Sequence, residues 1–386
     1  MSSWSYKTDN KAILATLSDT KDEIDQLKTE IQKLESERKD RRVVQNGTSE
    51  MPLQVSCPVK NLGSFLQHFL NLILPGSYFE VARHPELSLS FMLKNGLIPT
   101  TKPCPSCTDS SGTPIEMRLD SNSFSGYCFI CPVCENRLSV KHNTIWHKAN
   151  LSVEKMLLFL LLWTVGLKDT EIARLTDSDL GAVRALSQKF RRLVGWYFLS
   201  NLPQFQGVVE IDETNFFKRK IEIGKGKNNE RWVVGLYNRE TKLTYMEVVL
   251  KRSAQYLLPI VQSRCEVGTT IITDQWGAYE KLTDLGYPHY TIDHSRHFVH
   301  PENREIHTQH VEISWGWAKY DIKRKNRGGG NLQDYLNEFC WRRQYKNRYK
   351  NAEVADIMAA IMDILRKNPS GEVPDQPYEE EPEILE

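Results

Sequence analysis

Twice in this sequence a β-branched, apolar run stops at a carboxylate, once in Val208-Val209-Glu210-Ile211-Asp212 and again in Thr270-Ile271-Ile272-Thr273-Asp274. A charge ending a buried strand is costly unless it is paired or holds a cation, so these runs constrain fold and chemistry together. The pattern around them alternates. Segments 207–212, 231–237 and 243–250 are rich in Val, Ile and Tyr and read as strands. A helix over 254–265 follows, then a strand at 269–273, a helix at 277–285, a strand at 289–292 and a long helix from about Thr308. Residues 331–366 continue as helix. Three adjacent strands followed by strand–helix alternation predict an α/β domain over 205–350, with a mixed sheet flanked by helices.

A second constraint comes from cysteine. Five of the eight cysteines crowd into residues 104–134. Cys104-x2-Cys107 and Cys131-x2-Cys134 form two pairs with 23 residues between Cys107 and Cys131, each pair with a Pro (Pro105, Pro132) inside its turn. A two-residue spacer lets a tight turn aim both sulfurs at one tetrahedral ion. The spacing predicts a zinc ribbon over 101–148 with a structural Zn2+ on Cys104, Cys107, Cys131 and Cys134. Cys128-x2-Cys131 is also a permissible pair, and the flanking Pro favours Cys131 with Cys134. The N-terminus shows no charged-then-apolar signal, and the longest apolar run, 156–163, is about half what a bilayer needs. These features predict an intracellular protein with no membrane partner, and argue against a disulfide framework.

Residues 11–42 are highly charged, and from Ile24 the apolar residues Leu27, Ile31 and Leu34 follow at spacings of 3, 4 and 3. That is a heptad seam, which predicts a short dimeric coiled coil. A linker (43–56) and a helical segment (62–100) come next. Past the ribbon, 151–200 reads as two short helices, a turn at 177–179 and a longer helix with Arg184, Lys189, Arg191 and Arg192. The arrangement is helix-turn-helix-like, with those cations expected on DNA phosphates; an ordinary helical bundle with a solvated basic face is the other reading. The net charge of +1 argues nothing by itself. Residues 371–386, however, carry seven acidic side chains and no basic ones, an acidic disordered tail that leaves the body distinctly basic.

The strand order of 205–350 is that of the ribonuclease-H-like fold, in which the first and fourth strands lie side by side. Asp212 and Asp274 then face each other and repel unless a divalent cation lies between them. Glu312 stands on the last helix beside an apolar stripe of Val311, Trp315, Ala318 and Ile322. Three hard carboxylates suit Mg2+ or Mn2+. Two such ions roughly 3.5–4 Å apart support in-line displacement at phosphorus. Glu210, Glu213, Asp293, Glu302 and Glu305 are weaker ligand candidates. Lys218, Arg219 and Lys220, with Lys319, Lys323 and Arg324, form a basic surround suited to phosphates. Trp276, Trp315 and Trp317 read as core packing before base stacking.

Several spaced motifs appear in order: Val-Glu-Ile-Asp-Glu-Thr (209–214), Trp-Val-Val-Gly-Leu (232–236), Ile-Thr-Asp-Gln-Trp-Gly-Ala-Tyr (272–279), Asp-His-Ser-Arg-His-Phe-Val (293–299) and His-Thr-Gln-His-Val-Glu-Ile-Ser-Trp (307–315). With Ser-Val-Lys-His-Asn-Thr-Ile-Trp (139–146) upstream, the chain over roughly 100–350 resembles the Merlin-type DDE transposases and their bacterial insertion-sequence relatives. It departs from them at Gln309, where Asn is usual, and in the glycine-poor Lys218-Arg219-Lys220 stretch. The resemblance implies that Asp212, Asp274 and Glu312 are the catalytic carboxylates. It further implies cutting at transposon ends and joining of the freed 3′-hydroxyl to target DNA. The partners would be double-stranded DNA, both terminal inverted repeats and target, and a second copy of the chain at least. The coiled coil suggests a eukaryotic, nuclear member. A host-recruited DNA-binding protein without transposition is the alternative, and a zinc-ribbon transcription regulator a third.

Overall fold

The structure is a computed structural model that describes residues 81–120, 127–218, 230–293, 303–327, 330–348 and 354–374. All of them belong to the unit Cys57–Glu386. The coiled coil expected over 11–42, the first part of the 62–100 segment, Arg219 and Lys220, the side chains of Lys218 and Arg324, and most of the acidic tail lie outside the described residues.

Helix α1 (Pro85–Lys94) precedes an antiparallel four-stranded sheet, β1 (Lys102–Thr108), β2 (Pro114–Asp120), β3 (Cys128–Ile130) and β4 (Arg137–Ser139), in sequential order. Three helices follow: α2 (Val153–Thr164), α3 (Asp169–Leu175) and α4 (Leu180–Asn201). Ser152 sits at the N-cap of α2, but its hydroxyl turns to Glu154 and caps no backbone N–H. Asp179 does cap α4, accepting from the Ala182 N–H at 2.8 Å. Ten of the twelve residues of α2 are buried. A helix apolar on all sides belongs inside a core, and α2 packs against α1, α3 and the last helix, α9 (Val354–Lys367). Trp146, at the end of the cysteine module, stacks into the same core against Phe159 and Phe190, with ring centroids 6.1 and 5.4 Å away. The Ile145 N–H donates to the Pro369 carbonyl at 2.7 Å, which ties the chain past α9 back to the module.

The second sheet holds β5 (Val208–Lys218), β6 (Glu230–Asn238), β7 (Thr244–Val249), β8 (Thr270–Asp274) and β9 (His289–Ile292) in the order β7-β6-β5-β8-β9. The first three strands pair antiparallel, while β5, β8 and β9 run parallel. That mixed 3-2-1-4-5 order is the ribonuclease-H-like arrangement. Helix α5 (Ala254–Arg264) links β7 to β8, α6 (Gln309–Asp321) packs on β5 and β6, a short α7 (Arg324–Arg327) follows, and α8 (Leu332–Arg348) packs on β7 and α4.

Three details differ from the sequence reading. The first strand does not stop at Asp212 but runs on to Lys218, because its outer half pairs with β6 after β8 has ended. Residues 277–282 form a 3-10 turn, not a full helix. The helical stretch 331–366 is two helices, α8 and α9. Among the described residues no helix is long and apolar enough to cross a membrane.

Candidate active site

Strand alternation sorts the residues of β5 into two sets. Glu210, Asp212 and Thr214 turn toward α6, and each is hydrogen-bonded to it. The Glu210 carboxylate accepts from the N–H groups of His310 (2.8 Å) and Val311 (3.1 Å), Asp212 accepts from Trp315 Nε1 (2.9 Å), and Thr214 Oγ1 accepts from Lys319 Nζ (2.7 Å). The helix therefore lies along the strand, meeting it at 310, 315 and 319. What lets it come so close is Gly235, directly opposite Asp212 on β6, where a Cβ would overlap the Trp315 ring.

Register brings the two aspartates together. Glu210 pairs with Ile272 across β5 and β8, and Asp212 and Asp274 come two residues further along each strand. Burial pushes the Asp212 carboxyl up to about 7 against the pull of the Trp315 hydrogen bond, and the neighbouring Glu213 and Asp274 charges add to the rise. The Asp274 Oδ1 is buried without a hydrogen-bond partner. Glu312 stands one turn before Trp315 on α6, half-buried, its Oε1 accepting from Thr308 Oγ1 at 3.0 Å. Asp212 and Asp274 fit a divalent cation, because mutually repelling carboxylates and an orphaned buried oxygen are what such an ion satisfies. Glu312 is not drawn into a close group with them: the ligand atoms of the three do not all lie within 4.8 Å of one another.

Glu213 faces the other side of the sheet. Its carboxylate is buried against the Tyr279 hydroxyl and Arg252 Nε (3.0 Å), and burial raises it above its ordinary value. Arg252 in turn lies between Trp232 and Trp276, 4.6 Å from each ring, and its Nη2 stands 3.9 Å from Asp274 Oδ2. Glu213 is thus a brace for Arg252, not a free ligand. Asp293 follows the end of β9, Glu305 is exposed at the surface beside Arg239, and Glu302 lies outside the described residues. Of the three tryptophans only Trp315 is core; Trp276 is 43% and Trp317 54% exposed, which corrects the packing expectation for those two.

In the cysteine module the sulfurs of Cys104, Cys107, Cys131 and Cys134 all lie within 4.8 Å of one another, and Cys128 is not among them. Hydrogen bonding to Cys134 pushes Cys107 up to about 12, whereas the Cys134 backbone N–H holds Cys131 down to about 7. Four thiols so crowded are a donor set that zinc can take up by displacing their protons. A second close group, Glu210 with His307 and His310, had no signal in spacing alone. Its carboxylate is already occupied by a cation, the Arg239 guanidinium at 2.7 Å.

The basic residues divide. Arg184, Lys189 and Lys323 are exposed, and Arg184 and Lys323 line an open cleft of about 1060 Å³ between the helical segment and the α6–α8 region. Arg192 is half-buried. Arg191 is corrected: it points inward, paired with Glu338 (2.9 Å) and Asp169 (3.4 Å) and stacked 4.3 Å over Tyr335. A guanidinium satisfied by two carboxylates in the interior does not reach a phosphate. Lys319 is half-buried beside Asp212, Lys218 ends β5, and Arg324 starts α7.

Comparison with known proteins bears on this region. Among curated proteins none matches the chain. Solved structures with a detectable likeness include the simian T-cell lymphotropic virus intasome in complex with PP2A regulatory subunit B56 gamma (12% identity, 58% of this chain and 78% of that one, TM-score 0.22). They also include the Mos1 strand transfer complex (14%, 53% and 77%, 0.22) and the Mos1 mariner paired-end complex with Mn (13%, 53% and 78%, 0.21). Scores this low carry no functional weight, and the ribonuclease-H-like assignment follows from the strand order itself. Residues 204–344, which span all five strands and helices α5 to α7, match the ISXO2-like transposase domain. Over this stretch the chain is therefore similar to the ISXO2-like transposase domain, a DDE type.

Proposed function

We propose that the protein is a metal-dependent DNA transposase that cuts at transposon ends and joins the freed 3′-hydroxyls to target DNA. The observation that carries this is the placement of Asp212 and Asp274 on neighbouring parallel strands, with Glu312 on the helix packed against β5 and β6, in a stretch similar to a transposase domain. The three carboxylates are the ligands for two Mg2+ or Mn2+ ions. When bound, these ions activate the attacking oxygen and neutralise the leaving one at phosphorus. Cleavage breaks a P–O3′ bond with water as nucleophile and leaves a 3′-hydroxyl and a 5′-phosphate. In joining, that 3′-hydroxyl forms a P–O3′ bond at a target phosphorus while the target's own P–O3′ bond breaks and its 3′-hydroxyl leaves. Trp315 fixes the rotation of Asp212, and Lys319 places a positive charge beside it for a phosphate. The four cysteines hold a structural zinc that organises the ribbon.

The substrate is double-stranded DNA, terminal inverted repeats and target alike. Arg184, Lys189, Arg192 and Lys323 contact its backbone, with Lys218, Arg219, Lys220 and Arg324 continuing the basic surround. Paired-end chemistry calls for a homodimer or a larger assembly, acting in the nucleus. Strand cleavage and joining of labelled DNA carrying the element's ends, in Mn2+, tests the reading. Wild-type activity that vanishes in Asp274→Ala is the expected result. DNA binding by both proteins without cleavage by either would replace the reading with that of a recruited DNA-binding protein.

A further inference from the structure

Helix α6 begins in an unusual way. Its N-cap residue, Thr308, makes no capping hydrogen bond; its hydroxyl donates instead to the Glu312 carboxylate at 3.0 Å. The first turn of a helix leaves N–H groups that need acceptors, and a Thr at the N-cap is normally the one to supply them. Here the acceptor comes from another element. Glu210, on β5 and wholly buried, takes both the His310 and Val311 N–H groups on its Oε2, at 2.8 and 3.1 Å. Those are the second and third residues of the helix, the positions an N-cap side chain serves.

The other oxygen of Glu210 is held as firmly. Its Oε1 lies 2.7 Å from Arg239 Nε and 2.6 Å from His310 Nδ1. Arg239 in turn donates to the carbonyls of Glu305 (2.6 Å) and His307 (2.8 Å), the segment that leads into α6. The His310 ring lies flat on Tyr237 of β6, with centroids 5.1 Å apart. One carboxylate thus joins strand, helix start and approach segment, and the helix dipole favours its negative charge there.

We infer that Glu210 is the positioning residue of the carboxylate site: it caps α6 from the neighbouring strand and thereby sets where Glu312 stands relative to Asp212. Asp212 lies two residues along the same face of the same strand, and Glu312 two residues into the helix beyond His310. A cap supplied by Thr308 would stabilise the helix equally well but would leave it free to shift against β5. Burying a charge for the purpose is expensive, and what it secures is the spacing between two ligand-bearing elements. The capping also releases Thr308 to orient Glu312. The inference rests on the proposed reading of Asp212, Asp274 and Glu312 as metal ligands.

The test is Mn2+ affinity by titration calorimetry on the full-length, zinc-loaded chain, without DNA, for the wild type, Glu210→Gln, Glu312→Gln and the double variant. The amide keeps the shape but can no longer accept on both sides. Glu210→Gln is expected to weaken Mn2+ binding about 10–100-fold, as loss of an outer partner does. In the Glu312→Gln background the same change is expected to shift affinity less than about twofold, because the effect acts through Glu312. An equal loss in both backgrounds would make Glu210 a ligand itself or a general fold support, and overturns the inference; so does no loss in either. His310→Ala, at a partly exposed side chain, is a milder variant expected to weaken binding a few-fold with Glu312 present and not without it. It serves if Glu210→Gln does not fold. Should Glu312→Gln leave Mn2+ affinity unchanged, the triad reading itself fails; loss in Glu312→Gln with Glu210→Gln silent sinks only the positioning role.

Discussion

At the scale of single residues, the carboxylate on β5 and the glycine across from it decide how the site behaves. Asp212 holds its proton up to about pH 7 because burial and the nearby Glu213 and Asp274 charges disfavour ionisation. Its folded value lies above the unfolded one of 3.8, so the metal-free folded state binds the proton more tightly than the unfolded chain does. Stability of the metal-free protein should therefore fall as pH rises from about 4 to 7, a fall that Asp212→Asn removes in thermal melts. Mn2+ must displace that proton, so its affinity should climb about tenfold per pH unit below 7 and level off above. A flat affinity profile would rule out Asp212 as a ligand. Gly235 is the complementary case. A methyl there meets the Trp315 ring, and overpacking of this kind costs roughly 1–3 kcal/mol. Gly235→Ala should lower the melting temperature and weaken Mn2+ binding together, since the ring it displaces holds Asp212.

Among the elements, the contact between α4 and α8 couples the helical segment to the five-stranded sheet domain. Glu338 on α8 bridges Arg191 of α4 at 2.9 Å and Arg342 of its own helix at 2.7 Å, while Arg342 also donates to the Thr164 and Trp163 carbonyls at the end of α2. Burial alone would push the Glu338 carboxyl up, but Arg342 and Arg191 outweigh it and hold the group below its ordinary 4.5. A depressed carboxylate contributes stability that is present above the unfolded value and is lost as pH falls through the folded one. Glu338→Gln should therefore cost roughly 1.5–3 kcal/mol at neutral pH, because it leaves Arg342 without a carboxylate and Arg191 with Asp169 alone. Denaturant melts should also show the variant losing less additional stability than the wild type below about pH 4.5. Equal stability of the two proteins at pH 7 would show that the bridge is dispensable.

For the whole molecule, the proposed function calls for at least two copies on paired DNA ends. The heptad seam from Ile24 to Leu34 offers the means. Deleting residues 1–45 should lower the mass measured by light scattering, and an unchanged mass would place the assembly surface elsewhere in the chain.

Much of the fold was legible along the chain because local periodicity and strand chemistry agreed with it. The succession of strands and helices from 207 to 322 is visible in alternation, and the paired cysteines announce themselves by spacing alone. Asp212 and Asp274 stood out because a carboxylate closing an apolar run needs a reason to be there, and Glu312 because it edges the apolar stripe of the helix from 308. Other features required the folded chain. That Arg191 turns inward could not be read from its basic neighbours, since its carboxylate partners Glu338 and Asp169 come from other helices, one of them nearly 150 residues away. The roles of Glu210, Arg239 and Gly235 were likewise hidden, because each depends on how closely α6 settles onto β5 and β6. Periodicity tells which face of an element is buried; which side chain meets which across a packed interface is set by the register of strand and helix in three dimensions.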